Sequence, residues 1–184
     1  VVAVLPGADP LLKDQVIVIG AHYDHLGFGG FGARSASAAG QIHPGADDNA
    51  SGTAMLLELA RRLSQLPARP ARTIIFAAFS AEELGLFGSR HFVEHFQSIG
   101  TTKAMLNLDM VGRMRDDKFT VSGARSGEKL SEIVTSAGRA LGLTIGETDD
   151  VGRRDHLSFY NKKVPVLPLS TGVHSDDRRP SDTW

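Results

Sequence analysis

His22 and Asp24, Asp47 and Asp48, Glu82 and Glu83, Asp109 and His174 are the residues of this sequence whose types could do chemistry together. All carry imidazole or carboxylate groups, which suit Zn²⁺ and other divalent ions. In a His-x-Asp pair the carboxylate can accept the ring's second N–H and so fix its tautomer and orientation, the role expected of Asp24 towards His22. One bridging carboxylate can hold two divalent ions about 3.5 to 4 Å apart, polarising a carbonyl and generating hydroxide from water. Neighbours at a loop–helix junction need not point the same way, so Glu82 and Glu83 can divide the work. One would bind metal while the other stays free as a general base.

Taken singly, each signal has a plainer explanation. Glu-Glu at a helix start can be a first turn favoured by the helix dipole. Asp-Asp before Asn49-Ala50-Ser51-Gly52 can be turn and N-cap chemistry, and His22-x-Asp24 can be a strand-end turn. The elements that must position these residues argue for a joint role. Apolar runs suited to buried strands occur at 15–20, 73–79, 104–109 and 164–169, with shorter candidates at 1–5 and 118–121. In open α/β sheets ligands bind outside the carboxyl ends of the strands. His22 and Asp24 follow the first long run, Glu82 and Glu83 the second, Asp109 closes the third, and His174 lies just past the fourth. One metal site explains all four strand ends.

Helical stripes fall between the strands. Met55, Leu59, Leu63 and Leu66 form one; Leu130, Ile133, Val134, Ala137 and Leu141 form another, stopped by Gly142; a third helix follows Glu83 and runs through Phe92 and Phe96. Strands alternating with helices predict an α/β three-layer sandwich, a mixed central sheet with helices on both faces. The stretch from Leu26 to Ala46, rich in Gly, Ala and Ser, has no apolar period and reads as a long functional loop.

The 184 residues suffice for one well-cored domain, expected over 1–184 and open to truncation at either end. Twenty Lys and Arg against 21 Asp and Glu leave a formal charge of -1, which disfavours nucleic acid and anionic membranes as partners. With no cysteine there is no thiolate nucleophile or Cys-ligated zinc, so strong metal ligands are confined to His, Asp and Glu. Four other signals are declined. Gly27, Gly29 and Gly32 spell a dinucleotide fingerprint, but no helical period opens behind them. His91 and His95 read as a solvated helix face, and Phe92 and Phe96 as core. The acidic pairs at 116, 149 and 176 read as turns without calcium-loop spacing.

The segments AHYDH (21–25), GADDNASG (45–52), SAEELGLFGS (80–89), LNLDMVG (106–112), RDHLSF (154–159) and RRPSDT (178–183) resemble, in order, the blocks of co-catalytic zinc aminopeptidases. That group comprises the bacterial leucyl aminopeptidases and aminopeptidase Y, with glutamate carboxypeptidase II and glutaminyl cyclase as relatives. The resemblance implies an α/β sandwich, two zinc ions or one, and a peptide substrate cleaved at its N-terminus. It also implies export to the periplasm or exterior, although the first residues lack a signal-peptide pattern. Position by position it implies His22 and Asp109 as first-site ligands, with Asp24 orienting His22. Asp48 rather than Asp47 would be the bridging ligand, followed by Asn49 at a junction that often carries a cis peptide. Glu82 would be the general base and Glu83 the second-site ligand, while Asp155 and His156 would line the site and bind substrate.

One position departs from the resemblance. Relatives carry the last second-site histidine four residues before the aspartate of the final block; here that residue is Arg178. A guanidinium cannot serve as a ligand. Three arrangements are then open: His174 is rerouted as substitute ligand; a second ion is held weakly by Asp48, Glu83 and water; or Arg178 neutralises those carboxylates in place of the ion. The function expected is a zinc exopeptidase. The alternatives are a catalytically impaired relative acting as a binding module, which Arg178 alone supports, and acyl transfer of the glutaminyl cyclase kind.

Overall fold

The computed structural model describes residues 1–184, the Ala36 side chain excepted. Seven strands, β1 (Val2–Leu5), β2 (Val16–His22), β3 (Thr73–Phe79), β4 (Thr102–Leu108), β5 (Lys118–Ser122), β6 (Thr144–Thr148) and β7 (Val166–Ser170), form one sheet in the order β1-β3-β2-β4-β7-β5-β6. β3, β2, β4 and β7 are mutually parallel, so their carboxyl ends share one edge. β1 pairs antiparallel with β3, and β5 antiparallel with β7, which makes the sheet mixed as expected.

The helices α1 (Gly52–Ser64), α2 (Phe87–His95), α3 (Leu130–Leu141) and α4 (His156–Asn161) cover both faces. Side chains alternate across a strand, so β2 and β3 serve both layers at once. Val16, Val18, Ile75, Ala77 and Phe79 pack with Met105, Phe159 and Val166 under α2 and α4. Ile19, Ala21, Ile74, Phe76 and Leu108 pack against Leu56 of α1 on the other face. Leu130 and Val134 of α3 continue that second layer over Val121 and Leu167. Each fully buried Leu, Ile or Phe contributes roughly 1.5–3 kcal/mol, so the centre of the sheet, covered on both faces, is where burial stabilises the fold most. The catalytic candidates hang from that centre. Gly20 permits the tight packing there: a Cβ would stand 2.5 Å from the Phe79 ring and 2.9 Å from Met105 Cε.

Several expectations are corrected. β6 and α4 escape the sequence reading because β6 is a largely exposed edge strand without an apolar run and α4 is too short to show a period. Leu66 lies beyond the end of α1 and is exposed, as are Ile133 and Leu141 of α3, which packs on the sheet through Leu130 and Val134. His91 and His95 are exposed on α2, and Phe92 stacks on Phe96 and packs edge-on to Phe79, as read from the sequence. The long loop after β2 folds back on itself through a bridge between Gly27 and His43, and behind its glycines the described residues form only a single 3₁₀ turn, Ala36–Ala38, and no α-helix. Among the described residues, no helix is long and apolar enough to cross a membrane.

Candidate active site

His22 ends β2 with its side chain buried, and both its ring and its backbone are held. Its Nδ1 lies 3.1 Å from the backbone carbonyl of Asp24, while Thr53 Oγ1 donates to the His22 carbonyl at 3.0 Å and ties it to α1. The orienting group is therefore the Asp24 carbonyl rather than its carboxylate, which stands 3.8 Å from the ring. That carboxylate instead accepts the backbone N–H groups of Glu82 (3.1 Å) and Glu83 (3.2 Å), fixing the turn after β3.

His22 Nε2 faces Asp48 Oδ1 at 3.3 Å and Asp109 Oδ2 at 3.6 Å. Asp48 comes to this place because the chain from Ala46 to Ser51 forms a wide turn ahead of α1, with a cis Asp48–Asn49 peptide bond. Asn49 staples that turn to the end of β4: its Nδ2 donates to the Leu108 carbonyl at 2.9 Å, and its Oδ1 accepts from Met110 N and Gly52 N. Asp109 is held in turn by Arg154, whose Nη1 donates to the Asp109 carbonyl at 3.0 Å and lies 3.3 Å from Oδ1. Sequence reasoning did not single out Arg154, which precedes the Asp155-His156 pair it did select.

Two groups of possible ligands share Asp48: His22, Asp48 and Asp109, and His25, Asp48 and Glu83; the ligand atoms in each lie within 4.8 Å of one another. The first group fits a divalent cation. Buried carboxylates must be paired, bound to metal or neutralised by protonation, and here Asp48 and Asp109 converge on a single imidazole. Burial alone would lower the His22 pKa, yet the adjacent Asp109 and Asp48 carboxylates raise it well above its ordinary value. The same contacts hold Asp48 below the usual carboxylate range against its burial. The pocket thus recruits positive charge to this point.

His25 was missed, although it stands in the AHYDH segment. Its Nδ1 lies 3.1 Å from Glu83 Oε1 and 3.9 Å from Asp48 Oδ2, and both ring nitrogens are buried without a hydrogen-bond partner. His174 does not join either group. Its Nε2 faces Asp47 Oδ2 at 3.2 Å and its Nδ1 accepts from Asp176 N, because Asp47 turns away from Asp48, its Oδ1 accepting Gly112 N at 2.7 Å. The rerouting of His174 as a substitute ligand is therefore corrected. Arg178, by contrast, reaches the second group: Nη2 is 2.5 Å from Glu83 Oε2 and Nε 4.0 Å from Asp48 Oδ2.

Glu82 is buried beside the first group, and burial pushes its carboxyl up to about 8, with Asp109, Asp155 and Glu83 adding to the shift and His22 opposing it. A carboxyl poised near neutrality is suited to accept and return a proton. His22, Asp48, Glu82, Asp109, Arg154 and Arg178 line one cavity of about 280 Å³. A larger one, about 600 Å³, lies by Asp47, Arg113 and Trp184 and contains neither ligand group. Asp155 and His156 do not line the cavity over the ligands, a second correction. Asp155 is fully buried, with burial raising its carboxyl to about 6, and His156 hydrogen-bonds the Val151 carbonyl. They open α4: Asp155 is enclosed beneath the site, and His156 borders a neighbouring cavity of about 210 Å³ that shares Arg153, Arg154 and Val173 with the one over the ligands.

Comparisons with known proteins point to one family and one fold. The pattern of Peptidase family M28 matches residues 1–184. The chain is 40% identical over 156 residues to Aminopeptidase YwaD of Bacillus subtilis, covering 82% of this chain and 30% of that protein. It is 30% identical over 171 residues to Leupeptin-inactivating enzyme 1 of Streptomyces exfoliatus, covering 91% of this chain and 34% of that protein. The solved structure of BSAP, a zinc aminopeptidase from Bacillus subtilis, superposes with a TM-score of 0.77 at 26% identity, over 99% of this chain and 43% of that one. The chain thus spans about a third of the length of these two curated relatives.

Proposed function

The chain belongs to Peptidase family M28, and from that membership we propose that it is the catalytic domain of a zinc-dependent aminopeptidase acting on peptide N-termini. The observation that carries the proposal is the convergence of His22, Asp48 and Asp109 at the carboxyl edge of the sheet with Glu82 beside them. His22, Asp48 and Asp109 would hold the ion. When bound there, zinc supplies Lewis acidity and makes water acidic enough to attack at neutral pH.

The protein's own groups do the rest. Glu82 accepts the proton of the attacking water at its carboxylate and returns it to the leaving amine nitrogen. Asp24 keeps Glu82 in place through its backbone N–H, and the Asp24 carbonyl fixes the ring of His22. Arg154 holds Asp109. The resemblance to co-catalytic enzymes implies two ions, of which the second would draw on Asp48 and Glu83. Hydrolysis of amino-acid anilides with added zinc tests the reading. Activity in the parent and its loss in E82Q at unchanged zinc content support it; parent-level turnover by E82Q removes Glu82 from the role of base.

A further inference from the structure

We propose that the guanidinium of Arg178 stands in place of a second cation, so that this protein binds one zinc ion per chain and keeps a latent second site of His25, Asp48 and Glu83. The inference rests on the zinc reading above and concerns only the second position.

The second ligand group does not fit a metal as it stands. Its three ligand atoms are close enough together, but Glu83 spends one oxygen on Arg178 Nη2 at 2.5 Å, and Arg178 Nε faces the shared Asp48 Oδ2 at 4.0 Å. A guanidinium remains protonated at every working pH, so it cannot yield to a metal by losing a proton as an imidazole or ammonium can. A divalent ion seated between Asp48 and Glu83 would meet that fixed positive charge within a few ångströms in a buried setting, where screening is weak. Charge bookkeeping agrees: the two carboxylates of the first group match one divalent ion, and Glu83 is matched by Arg178.

Arg178 is also held there. Its Nη1 donates to the Gly32 carbonyl at 3.4 Å, its own carbonyl accepts from Arg34 N at 3.3 Å, and the neighbouring Asp177 is bound by the Arg34 guanidinium. What marks the site as latent rather than lost is His25. Its ring nitrogens are buried, Nδ1 stands 3.1 Å from Glu83 Oε1 without the alignment of a hydrogen bond, and neither nitrogen has a hydrogen-bond partner. A buried imidazole without a partner is costly unless a ligand completes it. With Arg178 removed, His25, Asp48 and Glu83 supply the one nitrogen and two oxygen donors of an open zinc site.

The test is a metal count. Protein stripped with chelator is titrated with Zn²⁺ by calorimetry, and zinc per chain is measured by mass spectrometry after desalting. One zinc is expected for the parent, two for R178A and for R178Q, and one again for R178A/H25A. Two tightly held ions in the parent would overturn the role given to Arg178 while leaving the zinc peptidase reading intact; none would overturn both. A folded R178A that still holds one ion would overturn the latent site. Should R178A fail to fold, R178Q, which keeps most of the side chain's length without its charge, decides in its place: two ions support exclusion by Arg178 and one overturns it.

Discussion

Asp182 Oδ2 accepts the backbone N–H of Asp48 at 3.1 Å, joining positions 134 apart in sequence. The same carboxylate accepts Asp47 N and pairs with Arg113 Nη2 at 2.9 Å, and it is fully buried. The turn ending at Asp182 therefore sets where Asp48, the carboxylate shared by both candidate ligand groups, stands, although Asp182 belongs to neither group.

Replacing that carboxylate separates positioning from ligation. In D182N the half-buried Arg113 keeps Asp176 at 2.9 Å but loses its charged partner at 182, and hydrogen bonds to a charged group are worth about 1.5–3 kcal/mol. Supporting contacts behind metal ligands are worth about 10–100-fold in metal affinity. Lower thermal stability and weaker zinc binding with stoichiometry unchanged are expected from calorimetry. Parent-like zinc affinity would show that Asp48 is placed without Asp182.

The metal-free protein should become less stable as pH rises. Burial raises the folded pKa of Glu82 from 4.5 to about 8, so its contribution is fully present below about 4.5 and is lost as pH climbs through 8. His22, also raised, has the same sign. The Glu82 part is on the order of 4 kcal/mol. Urea unfolding of chelated protein between pH 5 and 8 should therefore show a shallower decline in E82Q than in the parent. Equal slopes would contradict the burial assigned to Glu82.

Zinc should reverse that trend, because metal ligation requires neutral imidazole and ionised carboxylates. Ligand at a hundredfold excess over its dissociation constant adds about 2.7 kcal/mol of stability. The rise in melting temperature on adding zinc is expected to grow from pH 5 to pH 8 and to vanish in H22A. A shift of the same size in H22A would place the ion elsewhere.

His156 acts on the acid side. Burial lowers its pKa from 6.5 to about 4, so the stability it confers is present above 6.5 and is lost as pH falls towards 4, at most about 3 kcal/mol. H156Q keeps an amide donor for the Val151 carbonyl without the titration. It should unfold less readily than the parent relative to neutral pH when acidified to 4; identical acid profiles would show that His156 is not buried neutral.

The ligands that sit directly on strand ends were legible because sheet geometry turns sequence order into spatial convergence. His22, Glu82, Glu83 and Asp109 follow parallel strands, and Asp48 opens a helix over the same edge. The rest depends on rotations that periodicity does not encode. Asp47 and Asp48 are adjacent but face opposite sides of one turn, which decides that His174 meets the former and not the ligand cluster. His25 lies in a loop whose path is set by tertiary contacts, so its approach to Glu83 had no local signal. Asp182 and Arg154 support the site from other elements, and only the closed fold brings them near. The fold itself was readable from its doubly buried strands, whereas edge strand β6 and short α4 lacked the apolar length to announce themselves.

The central claim is that zinc lies between His22, Asp48 and Asp109. Anomalous diffraction from zinc-soaked crystals, recorded on either side of the zinc absorption edge, tests it most directly. A strong edge-dependent peak within coordination distance of His22 Nε2 and both carboxylates is expected. A map with no such peak there, at saturating zinc, would contradict the account.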